Sequence, residues 1–175
     1  MKTIFKNILL FNFLKYKPFQ KIVQEKINNK LDIKMEKNDR YDSLIQYYAN
    51  KYNLDWLLLK AQIKRESNFN PDIPSPAGAV GLAQFMIGTW GQYGKGNRNN
   101  PEESIKAQCK YMSYLLKLFK GDISLGLAAY NCGEGKVGKL RKIYGNAFND
   151  IVNKLPEETQ KYVPAILEFY TKYQN

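Results

Sequence analysis

A chain of 175 residues, 44% of them hydrophobic and 14% aromatic, is long enough to bury a core and too apolar for a disordered polymer. Its 27 Lys and Arg outnumber 16 Asp and Glu, and the net +11 favours polyanionic partners, whether nucleic acid, anionic membrane or cell wall. Histidine is absent throughout, which removes Ser-His-Asp triads, Cys-His peptidases and His-ligated zinc and leaves carboxylate chemistry.

In chain order, residues 1–17 are apolar with interspersed lysines, through Ile4, Phe5, Ile8, Leu9, Leu10, Phe11, Phe13 and Leu14. Lys2 suits a signal-peptide start, but Lys6, Asn7 and Asn12 interrupt the run and no small-x-small cleavage site follows. The stretch is too short to span a bilayer. Three readings stay open for it: a signal or anchor, a membrane- or partner-contacting surface helix, and plain packing on the domain. Pro18 opens a second helix with Phe19, Ile22, Val23 and Ile27 on a mixed face, and residues 30–40 read as a charged linker. The chain thus divides into an extension, 1–39, whose function is unread, and a main domain, 40–175.

From Tyr41 the helical period is strong, with Leu44, Ile45, Tyr48, Ala49 and Tyr52 on one face. Asp55 is placed to cap the next helix, on which Trp56, Leu59, Ile63 and Glu66 follow at i, i+3, i+7 and i+10 and share a face. Asn70 precedes Pro71 and is biased away from helical geometry, so this helix ends nearby. Glu66 is then an acid at the end of an apolar stripe, where a core opens into a cleft. Partial desolvation and the negative helix terminus both favour its protonated form, which general-acid catalysis needs. An ordinary surface glutamate at a helix end satisfies the same spacing.

Residues 73–86 are turn-rich and predict a small irregular β or loop segment, with Gly78 and Gly81 free to take positive φ. Gly91, Gly94 and Gly96 predict a polar loop running on to Asn100. Pro101 suits a first helical position, and its helix turns Ile105, Cys109, Met112, Leu116 and Phe119 inward before stopping at Gly121. Asp122 caps a helix through Leu125, Leu127, Ala128 and Ala129 into Tyr130-Asn131, and Cys132-Gly133-Glu134-Gly135 reads as a tight loop. Pro156-Glu157-Glu158 starts the last helical region, which Pro164 should kink or restart. Cys109 and Cys132 match no metal spacing and read as two buried thiols.

Four pieces in order carry a family resemblance: Glu66-Ser67, the loop from Ser75 through Gly78, Gly81 and Gln84 to Met86, Ala129-Tyr130-Asn131, and Tyr162-Val163-Pro164. From about residue 41 to 170 the chain resembles the catalytic domain of the soluble lytic transglycosylases. The resemblance implies a mainly α, lysozyme-like α+β fold, a helical bundle whose small irregular segment forms a substrate cleft. It also implies cleavage of the bond between N-acetylmuramic acid and N-acetylglucosamine in peptidoglycan, with no metal and no cofactor. One carboxylate, Glu66, serves as acid and then as base on the muramic 6-hydroxyl, giving a 1,6-anhydro end.

By the same resemblance Ser75 bonds near the acid or the N-acetyl group, and Gln84 and Met86 line the cleft. Tyr130 holds Glu66 or substrate through its hydroxyl, Asn131 fixes its loop or binds sugar, and Tyr162 closes the opposite wall. Plainer roles suit several of them: Met86 and Tyr130 as core, Ser75 as a turn former, Ser67 as a helix residue. Departures are mild, with Ala83 where Met is common, Ile87 where Pro is common, and Cys132 where a small residue such as Ala is usual. The partner that the resemblance implies is the peptidoglycan glycan strand, with no nucleic acid expected; a membrane or assembly contact through residues 1–17 rests on the open reading of that segment alone. The implied place of action is the periplasm or cell wall, reached by export or aboard a virion or secretion machine. The alternatives are a goose-type lysozyme-like hydrolase, for which Asp72 or Glu134 would supply the missing base, and a non-catalytic wall-binding module. A nucleic-acid-binding helical domain suits the charge but not the motifs.

Overall fold

The computed structural model describes residues 39–73 and 75–175. The expectations for residues 1–17, for the helix after Pro18 and for most of the linker lie outside the described residues. Residues 41–175 form one compact unit.

Within it the helices are α1 (Asp42–Tyr52), α2 (Trp56–Ser67), α3 (Ile87–Tyr93), α4 (Pro101–Leu118), α5 (Ile123–Cys132), α6 (Glu134–Tyr144), α7 (Phe148–Ile151) and α8 (Glu157–Gln174), with a 3-10 turn at Val152–Lys154. The fold is mainly α, as expected, and its irregular segment contracts to one antiparallel bridge between Val80 and Phe85. Side-chain caps start three of the helices. Asp55 accepts from the Leu57 amide at 2.9 Å, Asn100 from Glu103 at 3.1 Å, and Asp122 from Leu125 at 2.9 Å. Pro101 occupies the first turn of α4, where its missing N–H costs nothing.

The centre of the bundle is α2, which packs along α8 on one side and against α1 on the other, while α4 packs on α1 and α5. Leu59 and Ile63 of α2, Ile105, Met112 and Leu115 of α4, Leu127 of α5, and Val163 and Ile166 of α8 are fully buried. Each such aliphatic side chain contributes about 1.5–3 kcal/mol by leaving water.

Three local expectations are corrected. Gly91 is not in a loop: it lies within α3, because Trp90 drives that helix into the core, 5.6 Å edge-on to Phe85. The tight loop at 132–135 reduces to Gly133 alone, whose φ of +88° turns α5 directly into α6. Pro164 does not restart the last helix, which runs unbroken as α8 because Tyr162, Val163 and Ile166 on either side of the proline are buried. The expected end of α2 near Asn70 is observed, at a left-handed Asn68 whose N–H bonds the Lys64 carbonyl. Cys109 is buried and Cys132 half-buried, and both are free thiols.

Candidate active site

A cleft of about 340 Å³ opens where α2 ends, walled by residues 75–86 of the loop, Thr89 of α3, Tyr111 of α4, Tyr130 and Asn131 of α5, and Glu158 of α8. Glu66 and Arg65 reach it from α2.

The loop is held rigidly for a segment with almost no regular structure. Gly81 has φ +84°, and a Cβ there would lie 2.0 Å from the Arg98 carbonyl oxygen, so only glycine fits. The fully buried Ser104 hydroxyl accepts from the Ala83 amide at 3.1 Å. The Arg98 guanidinium donates to the carbonyls of Gly78 (3.3 Å) and Phe85 (3.0 Å). These contacts satisfy backbone groups of the loop, among them the buried Ala83 amide, that would otherwise lack a partner within the protein.

Glu66 is half-buried. Its Oε1 accepts a 2.5 Å bond from the Tyr162 hydroxyl, and that phenol oxygen accepts from Gln62 Nε2 at 3.1 Å. Burial pushes the Glu66 carboxyl up from 4.5 to about 7, and the negative charge of Glu158 adds to the rise. The Tyr162 bond and the Arg65 cation oppose it without prevailing. Near neutrality the group can therefore give a proton and, once ionised, take one. Burial and the Glu66 charge hold the phenols of Tyr162 and Tyr130 well above the ordinary tyrosine range, so both remain hydrogen-bond donors.

Six of the seven residues expected at the site line the cleft: Glu66, Ser75, Gln84, Met86, Tyr130 and Asn131. Ser75 is partly engaged in its own turn, accepting from the Ala77 amide at 3.3 Å. Gln84 has φ +48° and donates to the Gly81 carbonyl at 2.9 Å, and Met86 is an exposed wall residue. The Tyr130 hydroxyl donates to the Ala83 carbonyl at 2.9 Å, not to Glu66, while its ring meets Phe85 edge-on. Asn131 donates to Glu158 Oε1 at 3.1 Å and accepts from the buried Thr159 hydroxyl at 2.6 Å. Tyr162, the seventh, is buried behind the acid and does not stand on the opposite wall.

Sequence reasoning missed Glu158, Arg65, Thr89 and Tyr111. For Glu158 a signal existed: it precedes Tyr162 by four residues, so the two share one face of α8. Arg65 places its guanidinium 5.8 Å from the Tyr162 ring centre, a contact between helices that no local pattern announces. The two acids considered as a possible second carboxylate lie elsewhere. Asp72 is exposed and accepts from Asn99 at 3.4 Å, and Glu134 accepts from the Tyr111 hydroxyl at 3.0 Å without lining the cleft. Among the described residues no group of three His, Cys, Asp or Glu side chains could hold a metal ion, and no helix is long and apolar enough to cross a membrane.

The chain is similar to known proteins in both sequence and fold. The profile of the transglycosylase SLT domain matches residues 43–152. Membrane-bound lytic murein transglycosylase F of Histophilus somni is 37% identical over 134 residues, covering 70% of this chain and 27% of that protein. Its counterpart in Shewanella sediminis is 36% identical over 110 residues, or 59% of this chain and 22% of the other. Among solved structures, the 70-kDa soluble lytic transglycosylase in complex with bulgecin A superposes with a TM-score of 0.70 at 28% identity, over 77% of this chain and 24% of that one. The Pseudomonas aeruginosa lytic transglycosylase Slt, solved as an inactive glutamate-to-glutamine mutant, gives 0.67 at 27%, with the same coverage. The chain spans about a quarter of the length of these proteins.

Proposed function

We propose, on the premise that the chain belongs to the transglycosylase SLT domain family, that it is a peptidoglycan lytic transglycosylase with Glu66 as its acid and base. The observation that carries this reading is a desolvated carboxyl, shifted to about 7, at the floor of an open cleft and tethered by one oxygen only. The inactivity of the glutamate-to-glutamine mutant of the Pseudomonas relative supports a glutamate in this role.

Protonated Glu66 donates to the glycosidic oxygen as its bond to the muramic anomeric carbon breaks, and the substrate's N-acetyl group stabilises the cation that forms. The Glu66 carboxylate then takes the proton of the muramic 6-hydroxyl as that oxygen closes on the anomeric carbon. The acid is regenerated and no water is consumed. An intramolecular hydroxyl is present at very high effective concentration, so one carboxylate suffices. Ser75, Gln84, Met86 and Asn131 are assigned to sugar contacts along the cleft, Tyr130 to fixing the loop through Ala83, and Tyr162 to orienting the acid. The catalytic unit is residues 40–175, and residues 1–39 form an extension that meets a membrane or assembly partner through residues 1–17. The place of action is the periplasm or cell wall, where the polymer lies.

A second reading has one observation in its favour. Glu158 brings another carboxylate to the cleft, and a hydrolase uses such a group to activate water. Mass spectrometry of muropeptides released from purified sacculi separates the two. The transglycosylase leaves 1,6-anhydro ends about 18 mass units lighter than hydrolytic products, the mass of one water. Predominantly reducing ends would make water the nucleophile and Glu158 its candidate base. Glu66→Gln should release nothing in either case.

A further inference from the structure

Behind the acid lies a set of polar side chains that packing alone does not explain. Gln62 on α2, Gln108 on α4 and Tyr162 on α8 are buried to 0%, 0% and 2% exposure, on helices that also bury Leu59, Ile63, Met112 and Val163. Gln108 Nε2 donates to the Leu59 carbonyl at 3.3 Å and to Gln62 Oε1 at 2.9 Å. Gln62 Nε2 donates to the Tyr162 phenol oxygen at 3.1 Å, and Tyr162 donates to Glu66 Oε1 at 2.5 Å. The remaining oxygen of Gln108 is buried with no hydrogen-bond partner. Apolar residues of the same shape at these two positions would avoid that penalty.

The chain can run in one direction only. A backbone carbonyl accepts and never donates, so the Leu59 oxygen fixes the Gln108 amide with its NH2 group toward Leu59 and Gln62. Gln62 must then present its oxygen to Gln108 and its NH2 to Tyr162. With its oxygen occupied by that donor, the Tyr162 hydroxyl hydrogen is directed at Glu66 Oε1, and each bond polarises the next.

We propose that Gln62 and Gln108 are positioning residues for the acid: they lock Tyr162 as a donor, so the proton of Glu66 resides on Oε2, the oxygen left free for substrate. Without the lock, Tyr162 could rotate and accept the Glu66 proton, which would face the core and not the glycosidic oxygen. The other charged or titratable groups facing Glu66 are Arg65 beside it on α2, Glu158 on α8 and Tyr130 on α5. None of them touches the two glutamines in the bonds described. The inference rests on Glu66 being the catalytic acid.

The test is a carbon NMR titration of side-chain-labelled glutamate in the full chain, with Glu66 assigned by its loss in Glu66→Gln. Gln62→Met keeps the volume but cannot donate, and should raise the Glu66 midpoint by about half a pH unit, because the carboxylate loses part of its donor strength. Tyr162→Phe removes the donor and should raise it further, by about one pH unit. In the Tyr162→Phe background, Gln62→Met should add nothing. In activity assays, the alkaline limb of Gln62→Met should move up with the titration, and kcat should fall several-fold with KM little changed.

An unmoved midpoint in Gln62→Met, or an equal added shift without the tyrosine hydroxyl, overturns the proposal. If Gln62→Met does not fold, Gln108→Met takes its place with a smaller shift in the same direction, and no shift there overturns it equally. The titration needs no substrate. If Glu66→Gln remained active, the catalytic role would fail while the shift stood; if the relay failed, Glu66→Gln would still be inactive.

Discussion

Replacing Glu66 with Gln should make the protein more stable, and only above acidic pH. In the folded state the carboxyl titrates near about 7, against an ordinary 4.5. Between those values the unfolded chain releases the proton while the folded chain keeps it, so wild-type stability falls as pH rises from about 4.5 and levels off above about 7. A difference of about 2.5 pH units at 1.36 kcal/mol each corresponds to about 3 kcal/mol. That figure is a ceiling, because Glu66 is only half-buried. The amide of E66Q keeps an oxygen for Tyr162 and carries no charge to desolvate, so it escapes this penalty. For a domain of this size the gain is a rise in Tm of roughly 5–10 °C at pH 8, shrinking to about zero at pH 4. Thermal melts by circular dichroism at the two pH values measure it. An equal Tm difference at both pH values, or a wild type more stable at pH 8, would refute desolvation as the cause of the shift.

Glu158→Gln removes the negative neighbour that holds the Glu66 pKa up, so the alkaline limb of the pH–rate profile should move down by a few tenths of a pH unit; an upward move contradicts the assigned sign. Gly81→Ala places a Cβ 2.0 Å from the Arg98 carbonyl at φ +84°, and should cost at least about 2 kcal/mol in urea denaturation along with most activity. Ser104→Ala strips the buried Ala83 amide of its acceptor and should destabilise by about 1–3 kcal/mol; an unchanged urea midpoint would mean that the amide finds another partner.

Much of the architecture was legible along the chain because helices are specified locally. Asp55 and Asp122 sit at capping positions, and the apolar period of α1, α2 and α4 marks which face is buried. The acid was legible for the same reason: Glu66 continues the stripe of Leu59 and Ile63, so its helix fixes its direction. What the chain could not show were facts about one helix seen from another. Gly91 looked like a breaker, yet Trp90 has a buried slot beside Phe85, and that burial outweighs the poor propensity of glycine in α3. Pro164 looked like an interruption, but the neighbouring α2 holds its flanking residues in one helix. The surroundings of the acid were least legible. Glu158, Gln62, Gln108 and Tyr162 meet Glu66 or one another across three helices, with separations of 46 to 100 residues between bonded partners. A hydrogen bond at such a separation leaves no period in the sequence. It exists only once tertiary packing brings α2, α4 and α8 together, and that packing also desolvates Glu66 enough to shift its pKa.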